Sequence, residues 1–245
     1  MLATLLAGVL AGLVNTLAGG GPILTLMALT MLGVDARIAN LTSSVALVPG
    51  QLLTGRVGWL AGGSIVRPQL LAGAAAGGVV GAVLLIAIPS RAFAILVPWL
   101  VLFATLAYVA APRATSKPID AGCSTSPSKW IVWIVPFLGI YGGFYGGGNS
   151  FLLLAMLGWA AISAKQANDT KNALVAVINS AAAAVLIGSG LVAWKYAFPL
   201  AAGNIAGCAI GLRLLNRISV KWLRATVVAA GIGLAAVLFW QAYTR

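Results

Sequence analysis

The stretch "NTLAGGGPIL" (residues 15–24) sets three glycines and a proline into an apolar run that extends from residue 2 to residue 33. As one unbroken helix of about 31 residues, the run would be roughly 46 Å long, well beyond a hydrocarbon core of about 30 Å. Two full spans would need about 40 residues, so that reading fits no better. A helix of about 16 residues, a glycine turn inside the membrane and a second helix of about 10 do fit, as a re-entrant hairpin or a broken helix.

The rest of the chain demands a membrane. Of 245 residues, 61% are hydrophobic and 7% charged, and the mean hydropathy is +1.04, which excludes a soluble single domain and gives an all-α polytopic membrane protein. Fifteen Lys and Arg outweigh three acids, but they stand one or two at a time between apolar runs. A nucleic-acid binder would cluster them, so nucleic acid is not an expected partner and the charge is topological. There is no histidine, and Cys123 in the polar centre and Cys208 in an apolar run have neither metal-type spacing nor a setting for a disulfide. No cofactor is expected. A signal peptide is not expected either, because no Lys or Arg precedes Arg37.

Apolar runs cover residues 2–33, 38–54, 68–88, 92–111, 130–159, 172–190, 197–212 and 222–242, and the polar segment "APRATSKPIDAGCSTSPSK" (111–129) divides them four and four. The expected organisation is a first membrane repeat (1–111), a linker (112–129) and a second membrane repeat (130–245). Gly12 with Gly19, Gly20 and Gly21 matches Gly139 with Gly146, Gly147 and Gly148. "ANLT" (39–42) matches "ANDT" (167–170), "GRVGW" ending at Trp59 matches "SGLVAW" ending at Trp194, and Pro68 leads Gly73, Gly77 and Gly81 as Pro199 leads Gly203, Gly207 and Gly211. So many ordered matches mark an internal duplication.

Positive charge discriminates between hairpin and crossing. If the first run of each half crosses, Lys and Arg divide seven against eight, which gives no orientation. If it turns back, the division is eleven against four, with Arg37, Arg91, Lys195 and Arg245 on the poor side. That obeys the positive-inside rule. Each half then holds one re-entrant element and three transmembrane helices, and an odd number of crossings makes the two repeats inverted. Both termini would lie outside and the linker would be cytoplasmic.

Half-helix N-termini near a bilayer midplane present free N–H groups and a positive dipole end, a natural anion site. Here they would begin at Pro22 and Asn149, after the triplets Gly19–Gly21 and Gly146–Gly148. Asn15, Thr16, Thr25, Asn149 and Ser150 stand nearby, and Thr42, Ser43, Ser44, Thr170, Lys171 and Asn172 open the next helix of each half. Mostly donors, they suit a small oxyanion. Each has a blander reading. The triplets could be close-packing sites, Thr42–Ser44 a helix cap, Lys171 a snorkelling lysine, and Asp35 and Asp169 N-caps. The Gly73/Gly77/Gly81 and Gly203/Gly207/Gly211 ladders read as packing faces, within the protomer or in a homodimer, and Trp59, Trp130, Trp194 and Trp222 as interfacial anchors.

"GLVNTLAGGGPILTLMALTMLGV" (12–34), "ARIANLTSSVA" (36–46) and "GRVGW" (55–59) resemble the TauE/SafE sulfite exporter family of bacterial permeases, and "GIYGGFYGGGNSFLLLAMLG" (139–158) resembles its second repeat. The resemblance covers nearly the whole chain. It implies transport of sulfur-containing anions such as sulfite, thiosulfate or sulfonates across the bacterial cytoplasmic membrane. The family signature falls on Gly19, Gly20, Gly21, Thr42, Ser43, Gly146, Gly147 and Gly148. The chain departs from two-fold equivalence where Lys171 and Asn172 replace Ser43 and Ser44. A secondary transporter of small sulfur-containing anions working by alternating access is expected, with a carrier of small carboxylates, a channel-like anion pore or a non-transporting scaffold as rivals. An enzyme is not expected, since no histidine or acid pair is present for acid–base work.

Overall fold

The computed structural model describes residues 1–17, 19–60, 66–110, 129–160, 162–214 and 220–243. The polar linker, with Cys123 and all but Lys129, lies outside the described residues. The helices are α1 (Leu2–Leu17), α2 (Gly21–Met31), α3 (Ala36–Leu60), α4 (Pro68–Ala87) and α5 (Ser90–Ala110), followed by α6 (Lys129–Phe144), α7 (Asn149–Trp159), α8 (Ala164–Gly188), α9 (Trp194–Leu214) and α10 (Val220–Tyr243). Among the described residues there is no strand. The expected breaks are present: a 16-residue helix is followed by an 11-residue helix in each half, and then by a 25-residue helix in each.

Among the described residues four helices, α4, α5, α8 and α9, are long and apolar enough to cross a membrane. At 25 residues α3 is also long enough, about 37 Å, but it is not among these apolar spans. Its buried face carries Asn40, Thr42, Ser43, Ser44, Gln51 and Thr54, because it runs through the protein centre rather than along lipid. The lipid-type surface lies elsewhere: Leu84, Trp99, Phe103, Trp133, Phe137, Phe198 and Trp240 are large, apolar and exposed.

The halves are interlocked. Helix α1 packs most extensively on α9, and its counterpart α6 on α4; α3 packs on α9 as α8 packs on α4; α3 meets α8, and α5 meets α10. Exchanging each helix for the one five places along leaves these pairings unchanged. The two most extensive contacts are glycine seams between parallel helices. Gly203, Gly207 and Gly211 lie against Leu5, Val9 and Thr16 of α1, while Gly73, Gly77 and Gly81 lie against Pro136, Ile140 and Phe144 of α6. Backbone meets backbone there, so packing takes the place of a hydrophobic drive that lipid does not supply. Both ladders are thus spent within the protomer.

Helices α3 and α8 run antiparallel. The Asn179 side-chain amide donates to Gln51 Oε1 at 2.8 Å, Gly55 lies against Asn172 and Ala173, and Gly58 lies against Asp169. Gln51 and Asn179 share the spacing that relates Thr42 to Thr170, so equivalent residues meet each other at the centre of the molecule.

Two helix starts differ from expectation. Helix α3 begins at Ala36, capped by Asp35, whose Oδ1 accepts from the backbone N–H of Arg37 and Ile38 at 3.0 and 3.2 Å. Thr42–Ser44 therefore lie in its second and third turns and are no cap. Helix α8 begins at Ala164 with Ser163 as its N-cap, accepting from Gln166 N. Asp169 lies a turn and a half inside this helix and caps nothing; Thr170, Lys171 and Asn172 are helix-interior residues. Polar composition had masked helical continuity in both cases. Lys171, wholly buried, also leaves the charge count, which becomes ten against four.

Candidate functional site

The first hairpin folds back on itself. Gly21, at the start of α2, lies against the Ala11 carbonyl and the Asn15 Cβ of α1. Had the chain continued as one helix, residues 11 and 21 would be about 15 Å apart. Gly20 takes the N-cap position in the left-handed region, φ 92°, where a side chain would be strained, and Pro22 follows in the first turn. In the second half Gly148 is the N-cap of α7, φ 82°. Neither start has a side-chain cap; Pro22 has no N–H, and Ile23 and Phe151 donate to the Gly20 and Gly148 carbonyls, so the N–H groups of Gly21 in α2 and of Asn149 and Ser150 in α7 are left for another partner.

The tips converge. Gly19 lies against Ser150 and Phe151 in the first turn of α7, and Gly146 lies against the Ser44 hydroxyl of α3. Gly19, Gly146 and Ser150 are thereby brought into one junction with Ser44, and Asn149 faces Gly142 of α6. Both polar atoms of the Asn149 side chain, Ser43 Oγ and Asn15 Oδ1 are buried and make no hydrogen bond, although buried polar groups rarely go unpaired. Such orphans mark where a polar ligand would be met.

Other residues singled out in the sequence are engaged elsewhere. Thr16 and Thr25 donate to the carbonyls of Gly12 and Pro22 within their own helices, at 2.8 and 3.0 Å. Thr42 Oγ1 accepts from Ala193 N in the α8–α9 connection at 3.1 Å. Thr170 and Asn172 are buried on α8, against the α3 seam in the case of Asn172. Gly147 lies under the Tyr145 ring. Lys171 is fully buried on α8, and no hydrogen-bonding group meets its Nζ.

Several residues that shape the site were not anticipated. Asn40 donates to the Phe144 carbonyl at the end of α6 at 3.0 Å, and the Tyr141 hydroxyl sits 3.0 and 3.1 Å from the carbonyls of Leu100 and Gly147. Together they hold the second break in place. The Gln51–Asn179 pair was visible only as two amides at matched positions in apolar runs. No group of three or more His, Cys, Asp or Glu among the described residues could hold a metal ion.

Two curated proteins are similar over nearly their whole lengths. One, named a probable membrane transporter protein ORF9, from Sinorhizobium sp, is 25% identical over 239 residues, 94% of this chain and 88% of that one. The other, named a probable membrane transporter protein, from Haemophilus influenzae, is 26% identical over 245 residues, 96% and 92% of the two chains. No solved structure matches the chain. The family model described as sulfite exporter TauE/SafE matches residues 4–238, and this multi-pass chain with its paired glycine breaks belongs to that family of membrane transporters.

Proposed function

We propose that the protein is a secondary transporter of small anions, sulfur oxyanions or organosulfonates, bound where the two helix breaks meet and exchanged across the cytoplasmic membrane by alternating access between inverted repeats. The reading rests on the junction itself: two uncapped helix starts converge within a protein core, with Ser44, Asn149 and Ser150 beside them. The family's sulfite exporter description supports a sulfur-containing anion.

The antiparallel contact of α3 with α8 supports the inverted arrangement. Between these equivalent helices lie α4, α5 and the α6–α7 hairpin. If the hairpin turns back, α3 and α8 cross in opposite directions; if it crossed, they would run parallel. Arg37 reaches the Leu85 and Ile86 carbonyls, and Ala193 reaches Thr42, so the α2–α3, α4–α5 and α8–α9 connections share one end of the molecule. On the positive-inside count that end is the outside, and in this reading the start of α1 and the end of α10 lie there too.

The test is a binding and flux screen of the purified protein in liposomes against sulfite, thiosulfate, sulfate, methanesulfonate, taurine and acetate. Saturable flux with counterflow of a sulfur anion is expected. Preference for acetate would move the assignment to carboxylates, non-saturating flux would make it a pore, and indifference to every anion would overturn it.

A further inference from the structure

Lys171 is enclosed in the protein with no acceptor at its Nζ. Asp169 stands two residues earlier on the same helix, but no hydrogen bond or ion pair joins them. An isolated buried ammonium is costly, and such a charge persists where something else neutralises it. The Cys208 thiol of α9 contacts the Gly12 carbonyl at 3.5 Å. One turn earlier Asn204 is wholly buried, its Nδ2 without an acceptor. Gly50 of α3 makes room for both, since a side chain there would meet Asn204 and Cys208.

The equivalent positions in the other half carry neither a charge nor an amide. Ser43 stands for Lys171, Ala74 for Asn204, Gly78 for Cys208 and Gly143 for Thr16; Gly143 and Gly78 are packed backbone to backbone. We infer that, where the two breaks meet, the transported anion is held off the pseudo-two-fold centre, toward α8, with Lys171 as its counter-ion. One fixed charge matches one negative charge, so the ligand class is a small monoanion, a sulfonate or hydrogen-sulfite type of head, rather than a dianion. This assignment rests on the anion-transport reading above and adds to it a position, a charge class and an asymmetry.

The experiment measures binding of methanesulfonate, its neutral analogue methanesulfonamide and the dianion sulfate to the full-length protein in nanodiscs, for the wild type and for Lys171→Met and Lys171→Arg. The wild type should prefer methanesulfonate to both others by about tenfold or more, and Lys171→Met should lose that affinity by at least about tenfold, the scale of removing one partner from a buried charge pair. Lys171→Arg should retain most of it. Lys171→Met should be no less heat-stable without ligand, because an apolar stem replaces an unpaired charge. Undiminished methanesulfonate binding by Lys171→Met overturns the counter-ion role and leaves the anion reading standing. Equal binding of methanesulfonamide by the wild type overturns it without any variant. A wild type that binds no anion, sulfite and acetate included, removes the reading beneath it.

Discussion

Replacing Gly19 by alanine tests whether the two breaks meet. Gly19 has φ +84° and Gly33, in the α2–α3 turn, has φ +79°, so both substitutions incur the left-handed backbone cost of about 1–2 kcal/mol. The surroundings differ. Nothing lies within 4 Å of a methyl group at Gly33, whereas at Gly19 it would stand 2.5 Å from Ser150 Cβ and 3.3 Å from a ring carbon of Phe151. Carbon atoms prefer separations of about 3.5–4.0 Å, so the tip must move by about an ångström, at an overpacking cost of about 1–3 kcal/mol. Gly33→Ala should therefore lower the unfolding midpoint by roughly 2–8 °C, and Gly19→Ala by roughly 4–20 °C, taking about 2–4 °C per kcal/mol for a chain of this size. Thermal unfolding in detergent measures both, and liposome flux reports whether the shifted tip still supports transport. Adding Ser150→Gly to Gly19→Ala removes the nearest clashing atom and should recover most of the excess loss, a coupling that separate sites would not show. Equal losses for the two alanine variants, with no recovery from Ser150→Gly, would refute the contact and with it the shared site.

Leucine at either Gln51 or Asn179 leaves a buried amide without its partner and should cost about 1–3 kcal/mol, while leucine at both should cost less than the two single changes together; thermal unfolding of the three variants measures it. Arg37→Ala frees the Leu85 and Ile86 carbonyls at the end of α4 and should lower the unfolding midpoint by the equivalent of about 1.5–3 kcal/mol, with Arg37→Lys restoring only part of it, since one ammonium replaces a fork. Single cysteines at Gly33 and Gly190, in a background with Cys123 and Cys208 replaced by serine, should both react with an impermeant maleimide from outside intact cells. Labelling from opposite sides would mean that the second break, between α6 and α7, crosses the membrane.

Much of the architecture was legible because membranes narrow the choices. Run length, the glycine triplets and the ordered matches between halves foretold two short helices followed by three long ones, in duplicate, and the breaks fell where Gly20 and Gly148 allow a left-handed N-cap. The boundaries of α3 and α8 were not legible. "ANLTSS" and "ANDTKN" read as polar entries to helices, yet their polar groups face the protein interior, and hydropathy measures affinity for lipid, not for a protein interior. Parts of the site were hidden for a related reason. Asn204 and Cys208 reach Gly12 only because α9 packs on α1, a pairing of the two ends of the sequence that no local pattern encodes.

That pairing also bears on how the protein is made. The glycine face of α1 finds its match in α9, some 190 residues later in synthesis, and α6 finds its match in α4, already threaded into the bilayer. The first hairpin must therefore enter the membrane, with its open backbone and its Asn15 and Thr16, long before the surface that shelters it exists. The second docks almost at once onto a waiting partner. Biogenesis is thus lopsided where the finished protein is nearly symmetric: the amino-terminal hairpin is the segment most dependent on the insertion machinery, and truncation before α9 would leave it exposed to quality-control proteolysis.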